Sequence, residues 1–134
     1  MKIFLTISAI LAWIFGLALL LVPGAFYAPL GASITPLLGT LAQAHGATLF
    51  GVGVILWMVR NAGVNAIRPV LWGNLFIQVL SLSVVFYTMS LGPGLGLFPG
   101  AVIHITLGSF TAYFLYKTRL ASNLKKEIHS HQTY

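Results

Sequence analysis

The chain has 134 residues, 58% of them hydrophobic and only 6% charged, with a formal net charge of +6. A soluble domain of this length carries about a quarter charged residues, so this chain could not cover so apolar a core in water, and a lipid bilayer is the expected solvent for most of it. The lack of cysteine excludes disulfides, thiolate chemistry, iron–sulfur clusters and cysteine-ligated zinc, and the single acid, Glu127, leaves no intramembrane carboxylate of the kind proton-coupled carriers use.

Four apolar runs reach the ~20 residues a helix needs to cross a hydrocarbon layer of roughly 30 Å. The first, 3–22, follows Met1 and Lys2 as a signal peptide would. Its apolar core is longer than the usual ~7–15 residues and no small-x-small cleavage site follows in PGAFYAPLG, so it is expected to remain as a span. The connection VPGAFYAPLGASITPLLG, with three prolines and several glycines, breaks helix before the second run, 41–59. RNAGVNAIR then leads to the third run, 70–91, LGPGLGLFPG to the fourth, 100–116, and a tail covers 117–134. The first and last of these connections are apolar as well as uncharged. That fits loops that dip leucines and phenylalanines into the headgroup region, or loops covered by another protein chain.

Every basic residue outside the runs falls on one side. Lys2 precedes the first, Arg60 and Arg68 flank the middle loop, and Lys117, Arg119, Lys125 and Lys126 follow the fourth. By the positive-inside rule both termini and the middle loop are cytoplasmic. Trp57, Trp72, Tyr113 and Tyr116 fall near that boundary and Tyr27 and Tyr87 near the other, as aromatic belts do. The expected fold is therefore all-α: one integral membrane domain, 1–134, forming a four-helix transmembrane bundle. The positive charge reads as a topology signal and not as a nucleic-acid surface. In the tail, Leu120, Leu124 and Ile128 at fourfold spacing among basic residues predict a cytoplasmic extension of the fourth helix near anionic headgroups. His129 and His131 read as a frayed, solvated terminus and not as a metal chelate.

Polar residues inside a membrane normally face the bundle interior. On the third helix Asn74, Gln78, Ser81 and Thr88 form one stripe at heptad spacing, fit to fasten helices by hydrogen bonds or to line a path for a substrate or ion. On the fourth, Gly100, His104, Gly108 and Ala112 recur at fourfold spacing, and Ala47 and Gly51 do so on the second, with Gly46 and Gly53 beside them; small residues at this spacing let helices approach closely. His45 and His104 each lie about five residues into their runs, which sets both imidazoles roughly 6–8 Å below the same boundary. Two level histidines with small neighbours suit axial ligation of haem b, and one alone would suit a chlorophyll-type magnesium. The competing expectation is a plain polar anchor, with each imidazole bonded to Gln43, Thr48, Thr106 or a backbone carbonyl.

No carboxylate is available to orient a histidine beside Ser81, Ser83 or Ser109, and no Gly-x-Ser-x-Gly elbow, HExxH pair or phosphate loop occurs, so an enzyme is not expected. The stretch GATLFGVGVILWMVRNAG, followed by IRPVLWGNLFIQ, resembles a loose class of small four-span bacterial membrane proteins. In that class a glycine-containing second helix ends in an aromatic residue and an arginine, and a short basic loop leads to the third. The resemblance covers most of the chain through glycines and belt residues; it implies a fold and carries no site. The first-helix carboxylate of the small multidrug transporters and the asparagine and phenylalanine motifs of the fluoride channels are missing. The expected function is that of a non-enzymatic accessory or scaffolding subunit of the bacterial inner membrane. It would pack against a larger respiratory or photosynthetic assembly or against itself, in lipid and without a cofactor. The alternatives are haem or pigment binding through His45 and His104, and a small channel or carrier along the third-helix stripe.

Overall fold

A computed structural model describes residues 1–31, 33–91 and 98–131, with side chains described as far as Asn123. The chain is all-helical: α1 (Lys2–Leu21), α2 (Pro23–Tyr27), a 3-10 turn (Ala28–Leu30), α3 (Pro36–Val59), α4 (Val64–Ser90) and α5 (Phe98–His131). Four helices are long and apolar enough to cross a membrane: α1, α3, α4 and, over Phe98–Asn123, α5. Most of the second outer loop, 92–97, and the last three residues lie outside the described residues.

Local chemistry explains where the helices begin. Thr35 accepts the Leu38 N–H on its Oγ1 at 3.2 Å and Pro36 takes the first helical position, where its missing N–H costs nothing. α3 therefore starts ahead of the apolar run expected from 41. α4 likewise starts early, from an extended Gly63, and carries Pro69 inside its second turn, where the ring removes the bond that the Asn65 carbonyl would accept. The segment expected to be loop after α1 instead winds into α2, because Pro23 again takes a first helical position. Gly31, at φ 72°, closes the turn that follows in the left-handed region glycine tolerates. Phe26 packs edge-on to Phe15 at 6.1 Å, so this connection folds back on α1.

The long helices pair as two antiparallel hairpins, α1 with α3 and α4 with α5. In the first, the backbones nearly touch at Gly16 and Gly46. A Cβ added to Gly46 would stand 2.6 Å from the Gly16 carbonyl oxygen and 2.7 Å from the Leu20 nitrogen. Seven residues on, Gly53 leaves room for the Trp13 ring, which also lies 5.3 Å from Trp57 and 6.2 Å from Phe50. The hairpins meet through Leu5, Ala9, Leu56, Ile67, Leu71 and Leu115, with Phe4 stacked on Phe114 at 5.2 Å. This core sits at the end of the molecule where α1 and α4 begin and α3 ends. Lys2, Arg60, Arg68 and Arg119 gather at the same end, called the basic end below. On its outward face α1 presents Ile3, Ile7, Ile10, Ile14, Leu17 and Leu21, an unbroken bulky stripe.

Candidate functional site

The polar residues of the second hairpin form one chain of hydrogen bonds between α4 and α5. Asn74 and Gln78, a turn apart on α4, are 5% and 7% exposed. His104 Nδ1 lies 2.7 Å from Gln78 Oε1, Gln78 Nε2 donates to Asn74 Oδ1 at 3.3 Å, and Asn74 Nδ2 donates to Thr111 Oγ1 at 2.9 Å. Thr111, wholly buried, donates in turn to the Leu107 carbonyl at 2.7 Å. With the amide oriented so, Gln78 Oε1 only accepts. A neutral His104 therefore carries its hydrogen on Nδ1 and keeps the Nε2 lone pair free. Each group donates to the next in one direction, the arrangement in which neighbouring bonds polarise and strengthen each other.

The other residues of the expected α4 stripe drop out of this chain towards the far end. Ser81 is half-buried; Thr88 is exposed and its hydroxyl donates to its own helix at the Val84 carbonyl. On α5 the fourfold stripe is not a single face. Steps of four advance about 40° beyond a full turn each, so Gly100 and Ala112 lie about 120° apart around the helix. Gly100 has open space where a side chain would stand and Ala112 is exposed, while His104, bonded to Gln78, and Gly108, 3.4 Å from Gln78 Cβ, face α4. The sevenfold step from His104 to Thr111 holds the face instead. Thr111 was not among the expected site residues; the signal for it is that heptad, which continues to the buried Thr118. On α3 the close approach within the chain is made by Gly46 and Gly53, while Ala47 is exposed and Gly51 has open space around it.

His45 lies exposed on α3. Its expected neighbours have other partners: Gln43 donates to the Leu20 carbonyl at 3.2 Å and Thr48 to the Ala44 carbonyl at 3.1 Å. Because α3 starts at Pro36 and α5 at Phe98, His45 is nine residues into its helix and His104 six, about 14 and 9 Å from the respective helix starts. Equal depth therefore does not follow from the helix ends. Among the described residues no group of three histidine, cysteine, aspartate or glutamate side chains could hold a metal ion. α3 and α5 also share a spacing: Ala42, His45, Leu56, Trp57 and Arg60 recur as Ala101, His104, Leu115, Tyr116 and Arg119, and the alanines and leucines are buried in both.

Two grooves run along the outer surface of the same helix pair. One, about 260 Å³, is lined by Arg68, Trp72, Leu75, Ala112, Tyr116 and Arg119; the other, about 290 Å³, by Gln78, Leu82, His104 and Gly108 together with Leu75 and Ala112.

The fold and these features define an all-helical protein with four helices compatible with a multi-pass membrane chain, fastened in one half by glycine contact and in the other by a buried polar chain. No family model, curated protein or solved structure shows significant similarity to it.

Proposed function

We propose that the protein is a small non-enzymatic subunit of the bacterial inner membrane, with both termini and the middle loop cytoplasmic, that packs against other membrane-embedded chains. The observation that carries this reading is the contrast between two exposed helix faces. α1 offers lipid a stripe of isoleucines and leucines along its whole length, whereas the middle of α3, between the exposed Leu37 and Leu41 at one end and Ile55 and Met58 at the other, exposes Thr40, Ala44, Ala47 and Thr48, with Gly51 open beside them. Lipid chains gain nothing from a flat, small-residue face, but another helix can come close to it, and close van der Waals packing is what associates helices where the hydrophobic effect is absent. Asn74 and Gln78 of α4 are bonded to α5, which favours the fastening role for that part of the stripe over an ion path.

The test is isolation from native membranes in mild detergent, with identification of the co-migrating chains. A distinct partner, or a second copy, is expected with the unaltered chain and is expected to be lost in Gly51→Leu. The thermal midpoint of the isolated chain should not fall, since a Cβ at that position meets nothing of the chain's other helices within 4 Å. A lone monomer, or a partner retained by Gly51→Leu, would sink the reading.

A second reading is supported by one specific feature. Donation from Nδ1 to Gln78 orients the His104 ring with a free Nε2 lone pair, as the outer-shell partner of a metal-ligating histidine does. Haem or a chlorophyll-type pigment would then be held by His45 and His104. In that case the purified protein shows a Soret or pigment band that disappears in His104→Ala; a colourless preparation from cells supplied with haem precursor rejects it.

A further inference from the structure

The two grooves on the second hairpin adjoin at Leu75 and Ala112, which line both, and end to end they make a shallow trough. From Arg119 to His104 it follows α5 for fifteen residues, about 22 Å, more than the ~15 Å depth of one leaflet. Gly108 and Ala112 keep its floor low. At the basic end, Arg68 from α4 and Arg119 from α5 stand on opposite walls, flanked by Trp72 and Tyr116.

The first hairpin treats its own arginine differently. Arg60 follows the last residue of α3, stacks 3.4 Å over the Trp57 ring and donates to the Trp57 carbonyl, a group free because the helix ends there. Arg119 occupies the corresponding place after Tyr116, but α5 continues to His131 instead of ending there, and Arg119 lines the groove beside Tyr116. Two guanidinium groups at the mouth of an apolar trough complement one chemical class: a phosphate-bearing anion with a long hydrocarbon chain.

We propose that this trough binds an anionic phospholipid of the cytoplasmic leaflet, its phosphate held between Arg68 and Arg119 and one acyl chain laid along Leu75, Ala112 and Gly108. The inference rests on the membrane orientation argued above. The phosphate accepts from both guanidinium forks at the headgroup level, where Trp72 and Tyr116 mark the boundary, and the chain covers the low surface left by the two small residues.

The test equilibrates the full chain in mild detergent with equal amounts of phosphatidylglycerol and phosphatidylcholine of the same acyl length, and counts retained lipids by native mass spectrometry. Phosphatidylglycerol is expected in excess, with its retention falling about five-fold for each of Arg68→Gln and Arg119→Gln and unchanged in Arg60→Gln. Ala112→Phe, which fills the trough and leaves the charges in place, is expected to lower retention of both lipids. An excess of glycerol phosphate should not displace the lipid; displacement would mean that a free phosphate suffices and would overturn the acyl-chain assignment. Equal retention of the two lipids by the unaltered chain, or an equal loss in Arg60→Gln, would overturn the proposal without reference to how any groove variant folds. Flotation with neutral phosphatidylcholine vesicles separates the two levels of the argument: a chain that fails to float refutes the membrane reading, whereas one that floats without preferring phosphatidylglycerol refutes only the lipid site.

Discussion

Gly46→Ala is expected to lower the thermal midpoint of the purified protein, while Gly51→Ala and Gly73→Ala leave it unchanged or raise it. The added methyl group at position 46 would meet the Gly16 carbonyl oxygen at 2.6 Å, the Leu20 nitrogen at 2.7 Å and Leu19 Cβ at 3.0 Å. Two of these are main-chain atoms, which cannot turn aside as a side chain can, so α1 and α3 must move apart. Overpacking of this kind costs about 1–3 kcal/mol. It outweighs the gain of up to ~1 kcal/mol that alanine offers over glycine in a helix. Separation also loosens the contacts above and below, and in lipid no hydrophobic term draws the helices back together. Gly16→Ala should behave in the same way, since its methyl would meet the Phe50 nitrogen at 2.8 Å and the Gly46 oxygen at 2.9 Å. Once the helices have separated the second methyl meets little more, so the double variant should cost less than the sum of the two. Circular dichroism melts in detergent read all of these values, and equal midpoints for Gly46→Ala and Gly51→Ala would refute the crossing.

Gln78→Leu is expected to be the most damaging single change in the second hairpin. Leucine fills a similar volume but leaves the His104 Nδ1–H without an acceptor and Asn74 Oδ1 without a donor. Stranding a buried polar group costs about 1–3 kcal/mol in soluble proteins, and measured interhelical bonds in membranes average nearer 0.6 kcal/mol, so a loss of about 1–2 kcal/mol is expected for the pair. The direction of the chain predicts an order. Asn74→Leu strands only the Gln78 amide hydrogen, because Thr111 still donates to the Leu107 carbonyl, so it should cost less. Adding His104→Leu to Gln78→Leu removes one of the stranded groups, and the double variant should cost less than the sum of its parts. Melting midpoints for the three variants check this order; a larger loss in Asn74→Leu than in Gln78→Leu would mean that the bonds run otherwise.

Much of this molecule can be read along the chain. The count of long helices follows from apolar run length, and α1 matches the run 3–22 to within a residue at each end. Asn74 and Gln78 could be picked out as a fastening pair because asparagine and glutamine are costly in lipid wherever they point outward. The starts of α3 and α4 were less legible: Pro36 and Gly39 read as helix breakers although Thr35 caps the helix ahead of them, and Asn65 and Arg68, which follow an extended Gly63, are too polar to count as part of a span. Contacts within the chain do not follow the fourfold stripe on α5 or the Ala47–Gly51 pair, because a repeat of four drifts around a helix, and a repeat of seven nearly holds its face. Gly46 and Gly53, and His104 and Thr111, are such sevenfold pairs.

Hydropathy and charge act on each residue against its solvent, one position at a time. For that reason the sequence by itself determined an all-helical chain with four segments fit to cross a membrane, basic residues at one level and a few polar side chains in need of partners. Packing, by contrast, is a relation between residues far apart in the chain, and it depends on helix rotation and register that no local pattern specifies. Only the tertiary structure therefore decided that Gly16 meets Gly46, that His104 bonds to Gln78 while His45 faces outward, and that Arg68 and Arg119 stand across one trough.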